Sequence, residues 1–113
     1  MHEYSIVQAM FDQIETAAHA RGALAVHRVS VRIGAASGVD QSLLRTAYET
    51  FRVHTICDQA PLDIEEIPAR WACPAGHGEI AVGARLACPA CGRPAHLASG
   101  DEIVLEHLEL EVP

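Results

Sequence analysis

The chain has 113 residues, one domain's worth with room for a small appended lobe. Half of its residues are hydrophobic but only five are aromatic, so a modest core must be built from Ala, Val, Leu and Ile, and a metal would be a useful staple. A formal net charge of −7, with eight arginines spread singly and no lysine, excludes nucleic acid as a partner, because phosphate binding needs clustered basic residues.

The opening MHEYSIVQAM has neither the basic start nor the apolar run of a signal peptide. No stretch approaches the ~18 apolar residues of a membrane span. The expectation is a cytoplasmic protein without membrane contact, whose cysteines serve as ligands rather than disulfides.

Residues 4–21 place Ile6, Val7, Met10, Phe11, Ile14, Ala17 and Ala18 at helical steps of three and four, with an end near Gly22. Residues 25–33 (AVHRVSVRI) alternate as a half-buried strand, with His27, Val29, Val31 and Ile33 on one face and Arg28, Ser30 and Arg32 on the other. After the loop GAASG, Asp40 is the expected N-cap of a second helix over 41–54, with Leu43, Leu44, Ala47, Tyr48 and Phe51 as its apolar face. Cys57, just beyond, reads as a buried thiol. PLDIEEIP (61–68) is a short strand with Leu62 and Ile64 inward, and Ile103 to Val112 is a last strand whose apolar phase shifts midway, as a bulge would make it.

The expected fold is α+β: a small three-stranded sheet with two helices on one face, plus an inserted zinc-binding lobe. The expected division is residues 1–71 and 98–113 for the main domain and 72–97 for the lobe. That lobe is rich in Gly, Pro and Ala, and without a metal it is poor material for a core.

The lobe repeats itself. ACPAGHG begins at Ala72 and ACPACGR ends at Arg93. Cys88-Pro89-Ala90-Cys91-Gly92 is a turn that offers backbone N–H groups to thiolate sulfurs. The first copy has one residue inserted and His77 in place of the second cysteine. The spacing C-x3-H, ten residues, then C-x2-C points to a Cys3His zinc site from Cys73, His77, Cys88 and Cys91. His96 or an exogenous group is the alternative fourth ligand, and a metal-free Cys88–Cys91 redox pair is a further alternative that no thioredoxin-like pattern supports. Glu79 is the single acidic residue of the lobe, so four filled positions read as structural zinc rather than a catalytic centre.

The chain begins Met1-His2-Glu3. A free α-amine, the backbone nitrogen and Nδ1 of His2, and the backbone nitrogen of Glu3 make a square-planar N4 set, which suits Ni(II) or Cu(II). The bulk of His2 disfavours removal of Met1, which keeps His2 second. Of the other histidines, His19 lies near a helix C-terminus, where a cation is favourable. His27 reads as packed on the apolar strand face, and His54 and His107 as surface or edge residues.

MHEYSI, VHRVSVRIG, CDQAPLDIEEIPARWAC and GDEIVLEHLELEV, together covering essentially the whole chain, resemble the HypA/HybF family of nickel metallochaperones for [NiFe] hydrogenase maturation. The resemblance implies an α+β domain that binds Ni2+ as cargo at Met1, His2 and Glu3, and a lobe whose structural Zn2+ maps onto Cys73, Cys88 and Cys91. It implies as partners the HypB GTPase and the hydrogenase large-subunit precursor; in some bacteria the family also serves urease maturation. The family usually carries two Cys-x-x-Cys pairs, so His77 rests on spacing alone. The expected function is nickel delivery without catalysis; the alternative is a zinc-ribbon adaptor without nickel. A zinc hydrolase fits worst, because no set of acids and bases accompanies the lobe.

Overall fold

The computed structural model describes residues 3–81 and 85–113. Its elements in chain order are α1 (Glu3–Ala20), β1 (Ala25–Gly34), α2 (Gln41–Phe51), β2 (Leu62–Ile67), β3 (Arg70–Ala72), β4 (Glu79–Ile80), β5 (His96–Ser99) and β6 (Ile103–Glu111). They form two three-stranded sheets, ordered β2-β1-β6 and β4-β3-β5. In the first, β2 runs parallel to β1 and β6 antiparallel. A parallel neighbour needs a crossover, and α2 supplies it.

Both helices cover the same face of the first sheet. Val7, Met10, Phe11 and Ile14 of α1 share one buried cluster with Val29, Val31 and Ile33 of β1 and Leu44, Ala47 and Tyr48 of α2. Phe11 stacks on Tyr48 with ring centroids 5.7 Å apart and also meets Phe51 at 6.1 Å. Tyr48 is fully buried because its hydroxyl can donate to the Ala60 carbonyl at 2.8 Å. Cys57 is buried in the same cluster, where burial pushes its thiol up to about 11 and keeps it unreactive. The opposite face of the sheet is a charge ladder: Arg28 meets Asp63 (2.6 Å) and Glu109 (3.7 Å), and Arg32 meets Glu65 (3.8 Å) and Glu106 (3.5 Å).

The Asp40 side chain accepts from the Leu43 N–H at 3.0 Å, capping α2. The helix is shorter than the expected 41–54. It closes with Arg52, whose N–H bonds the Tyr48 carbonyl, and Thr55 Oγ1 then takes up the Arg52 carbonyl at 2.6 Å in the turn that follows. Leu43 is 55% exposed. At 100° per residue it lies about 90° from the centre of the stripe that Leu44, Ala47, Tyr48 and Phe51 make, and so falls at its edge.

His27 also departs from its expected place. The β1–β6 register shifts between Val26 and Arg28, so Val26 takes the inward position. His27 is turned out to solvent, where Nε2 lies 3.0 Å from Glu111 Oε1. A second shift, between Ser30 and Val31, lets Leu105 and Leu108 both pack against the core although two residues separate them. This is the bulge that the phase change in the last strand indicates.

Three backbone segments meet where the chain passes into the second sheet and returns. The Gly34 N–H bonds the Glu102 carbonyl (2.7 Å), the Ala35 N–H bonds Ile67 (2.8 Å), and the Ala36 N–H bonds Gly100 (2.7 Å). Gly34 is so close to the Gly100 carbonyl that a Cβ would overlap it, and Gly100 has φ +105° with Pro68 and Ala69 backbone against it. Gly34→Ala must therefore push backbone against backbone. It is expected to cost about 2 kcal/mol and to lower Tm by about 10 °C. Thermal unfolding of the zinc-loaded variant beside Ala36→Gly, which adds no atom, checks this.

Candidate metal centre

The second sheet is small, and its strands present two turns to each other. Trp71 and Ala72 of β3 pair with Ile80 and Glu79 of β4, and β3 pairs on its other side with β5. Arg70 Nη1 donates to Glu79 Oε1 at 3.3 Å, fastening the β3–β4 hairpin from outside. Beneath, Ile80 packs with Cys73, Cys88, Trp71 and Ala95 in the only cluster the lobe has among the described residues.

Each turn is closed by its own backbone. In the first, the Cys73 N–H bonds the Gly78 carbonyl (3.0 Å) and the Gly76 N–H bonds the Cys73 carbonyl (3.1 Å). In the second, the Cys88 N–H bonds the Arg93 carbonyl (2.8 Å) and the Gly92 N–H bonds the Cys88 carbonyl (2.7 Å). Gly76 and Gly92 have φ of +89° and +74°, which a β-carbon would strain. The Ala75 N–H points at Cys73 Sγ (3.3 Å) and the Ala90 N–H at Cys88 Sγ (3.4 Å). These alanine donors carry no signal as residue types; only the repeated Cys-Pro-Ala announces them.

The turns bring Cys73, His77, Cys88 and Cys91 together, with all four ligand atoms within 4.8 Å of one another. Cys73 Sγ lies 3.4 Å from His77 Nδ1 and 3.6 Å from Cys91 Sγ, and Cys88 Sγ lies 3.6 Å from His77 Nδ1. Zinc bond lengths of about 2.3 Å to sulfur and 2.0–2.1 Å to nitrogen put tetrahedral S···S edges near about 3.8 Å and S···N edges near about 3.6 Å. The observed separations fit those edges, and a disulfide at about 2.05 Å does not. The cluster is suited to structural zinc. His96 is not in it: that residue is exposed on β5, paired with Ala72. Glu79, the one acidic residue of the lobe, is engaged by Arg70 at 3.3 Å.

The electrostatics favour a cation. The His77 backbone N–H, helped by that of Ala75, pushes the Cys73 thiol down to about 6. Burial is the largest influence on Cys88 and opposes ionisation, yet the N–H groups of Cys91 and Ala90 outweigh it and lower that thiol too. Cys91 is raised. The Arg93 N–H favours its thiolate, but burial and the two neighbouring sulfurs prevail. The sulfurs of Cys73 and Cys88 raise His77 by hydrogen bonding.

At the other end of the chain, Glu3 is the first described residue and begins α1. Its Oε2 accepts from the Asp40 N–H at 3.2 Å, which ties the start of α1 to the cap of α2. Met1 and His2, expected as nickel ligands, lie outside the described residues.

Two helices over a three-stranded sheet, joined to a lobe whose turns bring three sulfurs and one imidazole together, define a small α+β protein with a candidate metal centre. Residues 1–110 match the family described as HypA, hydrogenase/urease nickel incorporation, metallochaperone. The hydrogenase maturation factor HypA of Shewanella baltica (strain OS223) is 39% identical over 113 residues, covering 98% of this chain and 97% of that one. The corresponding protein of Nitrosospira multiformis is 40% identical over 112 residues, with 97% of each chain covered. The solution structure of the Ni metallochaperone HypA from Helicobacter pylori superimposes with a TM-score of 0.77 at 32% identity over the full length of both. The chain belongs to the HypA family of nickel metallochaperones. It is a maturation factor and not an enzyme.

Replacing one ligand of four should weaken zinc by about 100-fold or more. His77→Ala is expected to show this in competition with a chromophoric chelator, and His96→Ala to match the wild type. Coordination requires free thiolates and a free Nδ1, so acid competes with the metal. Because His77 is raised above its ordinary value, it takes up its proton earlier than a free imidazole as pH falls. Zinc affinity at pH 5.5 is expected to lie at least about tenfold below that at pH 7.5.

Proposed function

We propose that the chain carries Ni(II) on its first three residues and passes it on within the hydrogenase maturation machinery, acting in the cytoplasm. The Met1 amine, the backbone nitrogen and Nδ1 of His2, and the backbone nitrogen of Glu3 form the nickel set. The proposed receivers and helpers are the HypB GTPase and the [NiFe] hydrogenase large-subunit precursor. Zinc at Cys73, His77, Cys88 and Cys91 holds the lobe in shape and takes no part in nickel ligation. The lobe is taken as 72–97 and the nickel domain as 1–71 with 98–113.

The observation that carries this reading is the full-length family match combined with the Met-His-Glu start. Glu3 begins a helix, and the first N–H groups of a helix have no acceptor within it. Its backbone nitrogen is therefore free to lose a proton to nickel without breaking the helical ladder. The zinc-adaptor alternative is not favoured, since it leaves the likeness to nickel-incorporation proteins unexplained. Among the described residues no helix is long and apolar enough to cross a membrane.

An N-terminal extension of two residues moves His2 out of register and blocks the amine. Tight Ni(II) binding by isothermal titration should then be lost while one zinc per chain stays. His2→Ala should behave in the same way. Unchanged nickel affinity in the extended protein contradicts the reading.

A further inference from the structure

We propose that the outer edge of β6 and the flank of α1 beside it form a docking groove for an extended, basic segment of a partner protein, which adds to the first sheet as a fourth strand. The proposal goes beyond nickel binding and does not depend on it.

The order β2-β1-β6 leaves β6 outermost, and no strand among the described residues pairs with its far side. Nine residues of open edge, Ile103–Glu111, are long for a feature that soluble proteins usually shorten or cover. The edge is not flat against solvent. Between it and α1 lie two neighbouring cavities of about 180 and 360 Å3 that share Leu105 in their walls. From the helix and its end, Ile6, Met10, Gln13, Ala17 and Arg21 line them in succession at steps of three and four, as one stripe that is apolar or neutral until Arg21 at its far end. At the mouth, Ile103 and Val104 are 40% and 42% exposed. An open strand edge with a helix alongside is the arrangement that accepts a peptide by strand addition: main-chain bonds go to the edge, and alternate side chains enter the groove.

Charge identifies the occupant. Residues 101–112 contain Asp101, Glu102, Glu106, Glu109 and Glu111 and no lysine or arginine. In the arginine ion pairs of the outer face, Arg28 and Arg32 stand against Asp63, Glu65, Glu106 and Glu109, an excess of two carboxylates. A strand laid beside β6 therefore gains from Lys or Arg at its outward positions and from apolar residues at its inward ones. A second copy of this chain would set Glu106 and Glu109 beside the same acidic strand, and like charges across a strand pair are unfavourable.

The test uses the untagged, zinc-loaded full chain, isotope-labelled for amide NMR. The probe is a blocked nine-residue peptide of valines alternating with lysine and arginine, beside a control with glutamate at every basic position. The basic peptide is expected to shift amides within 103–111 and 6–21, and to bind at least tenfold more tightly than the acidic one. Ala9→Trp, at an exposed position that fills the groove, should weaken the basic peptide at least tenfold. Glu106→Gln with Glu109→Gln leaves the groove open and should weaken it several-fold. Equal binding of both peptides, shifts outside these segments, or full affinity in both variants would overturn the proposal. So would concentration-dependent dimerisation through β6 without peptide.

Discussion

Three sulfurs and one imidazole nitrogen within 4.8 Å of one another are the constraint on which the lobe depends. Two of the thiols are held toward the thiolate by backbone N–H groups, and the third is held off by burial and by hydrogen bonding with the other two sulfurs, which outweigh the Arg93 N–H. A dication at the centre satisfies all of them together. Little else could hold this segment. Its strands have three, two and four residues, and its buried cluster is two ligand cysteines and Ile80. Strands so short are not stable without more to pack against. The metal is the core that the sequence omits.

The first sheet is secured differently, by apolar packing beneath and ion pairs above. Its connection to the second sheet runs through the contact of Gly34 with Gly100, where side chains are excluded and the two connecting segments are hydrogen-bonded to the turn after β1. The chain therefore leaves the first sheet and returns to it at one place.

Much of this was legible in the sequence. The steps of three and four in the first helix, the Asp40 cap and the alternation in VSVRI are local signals, and the structure uses them locally. The phase change in the last strand correctly indicated a bulge. What escaped was non-local. His27 falls inward when the alternation of Val29, Val31 and Ile33 is carried back by one step, whereas pairing with β6 shifts the register between Val26 and Arg28. Leu43 looked buried because apolar character does not show how wide the contact stripe is. The parallel pairing of β2 with β1 follows from α2 as a crossover, which no short-range pattern announces. In the lobe, the doubled Cys-Pro-Ala marked the turns and pointed to the cysteines. The sheet that brings the turns face to face is too short to leave a periodicity. Met-His-Glu was readable only as coordination chemistry.

The central claim is that this member of a nickel-chaperone family holds its lobe with a mixed sulfur and nitrogen set. Zinc-edge X-ray absorption of the untagged protein measures that set directly. The expected result is three sulfur scatterers at about 2.3 Å and one nitrogen at about 2.0 Å, with no change in that first shell when Ni(II) is added. A shell of four sulfurs, a shell dominated by nitrogen and oxygen, or nickel entering the sulfur site would contradict it.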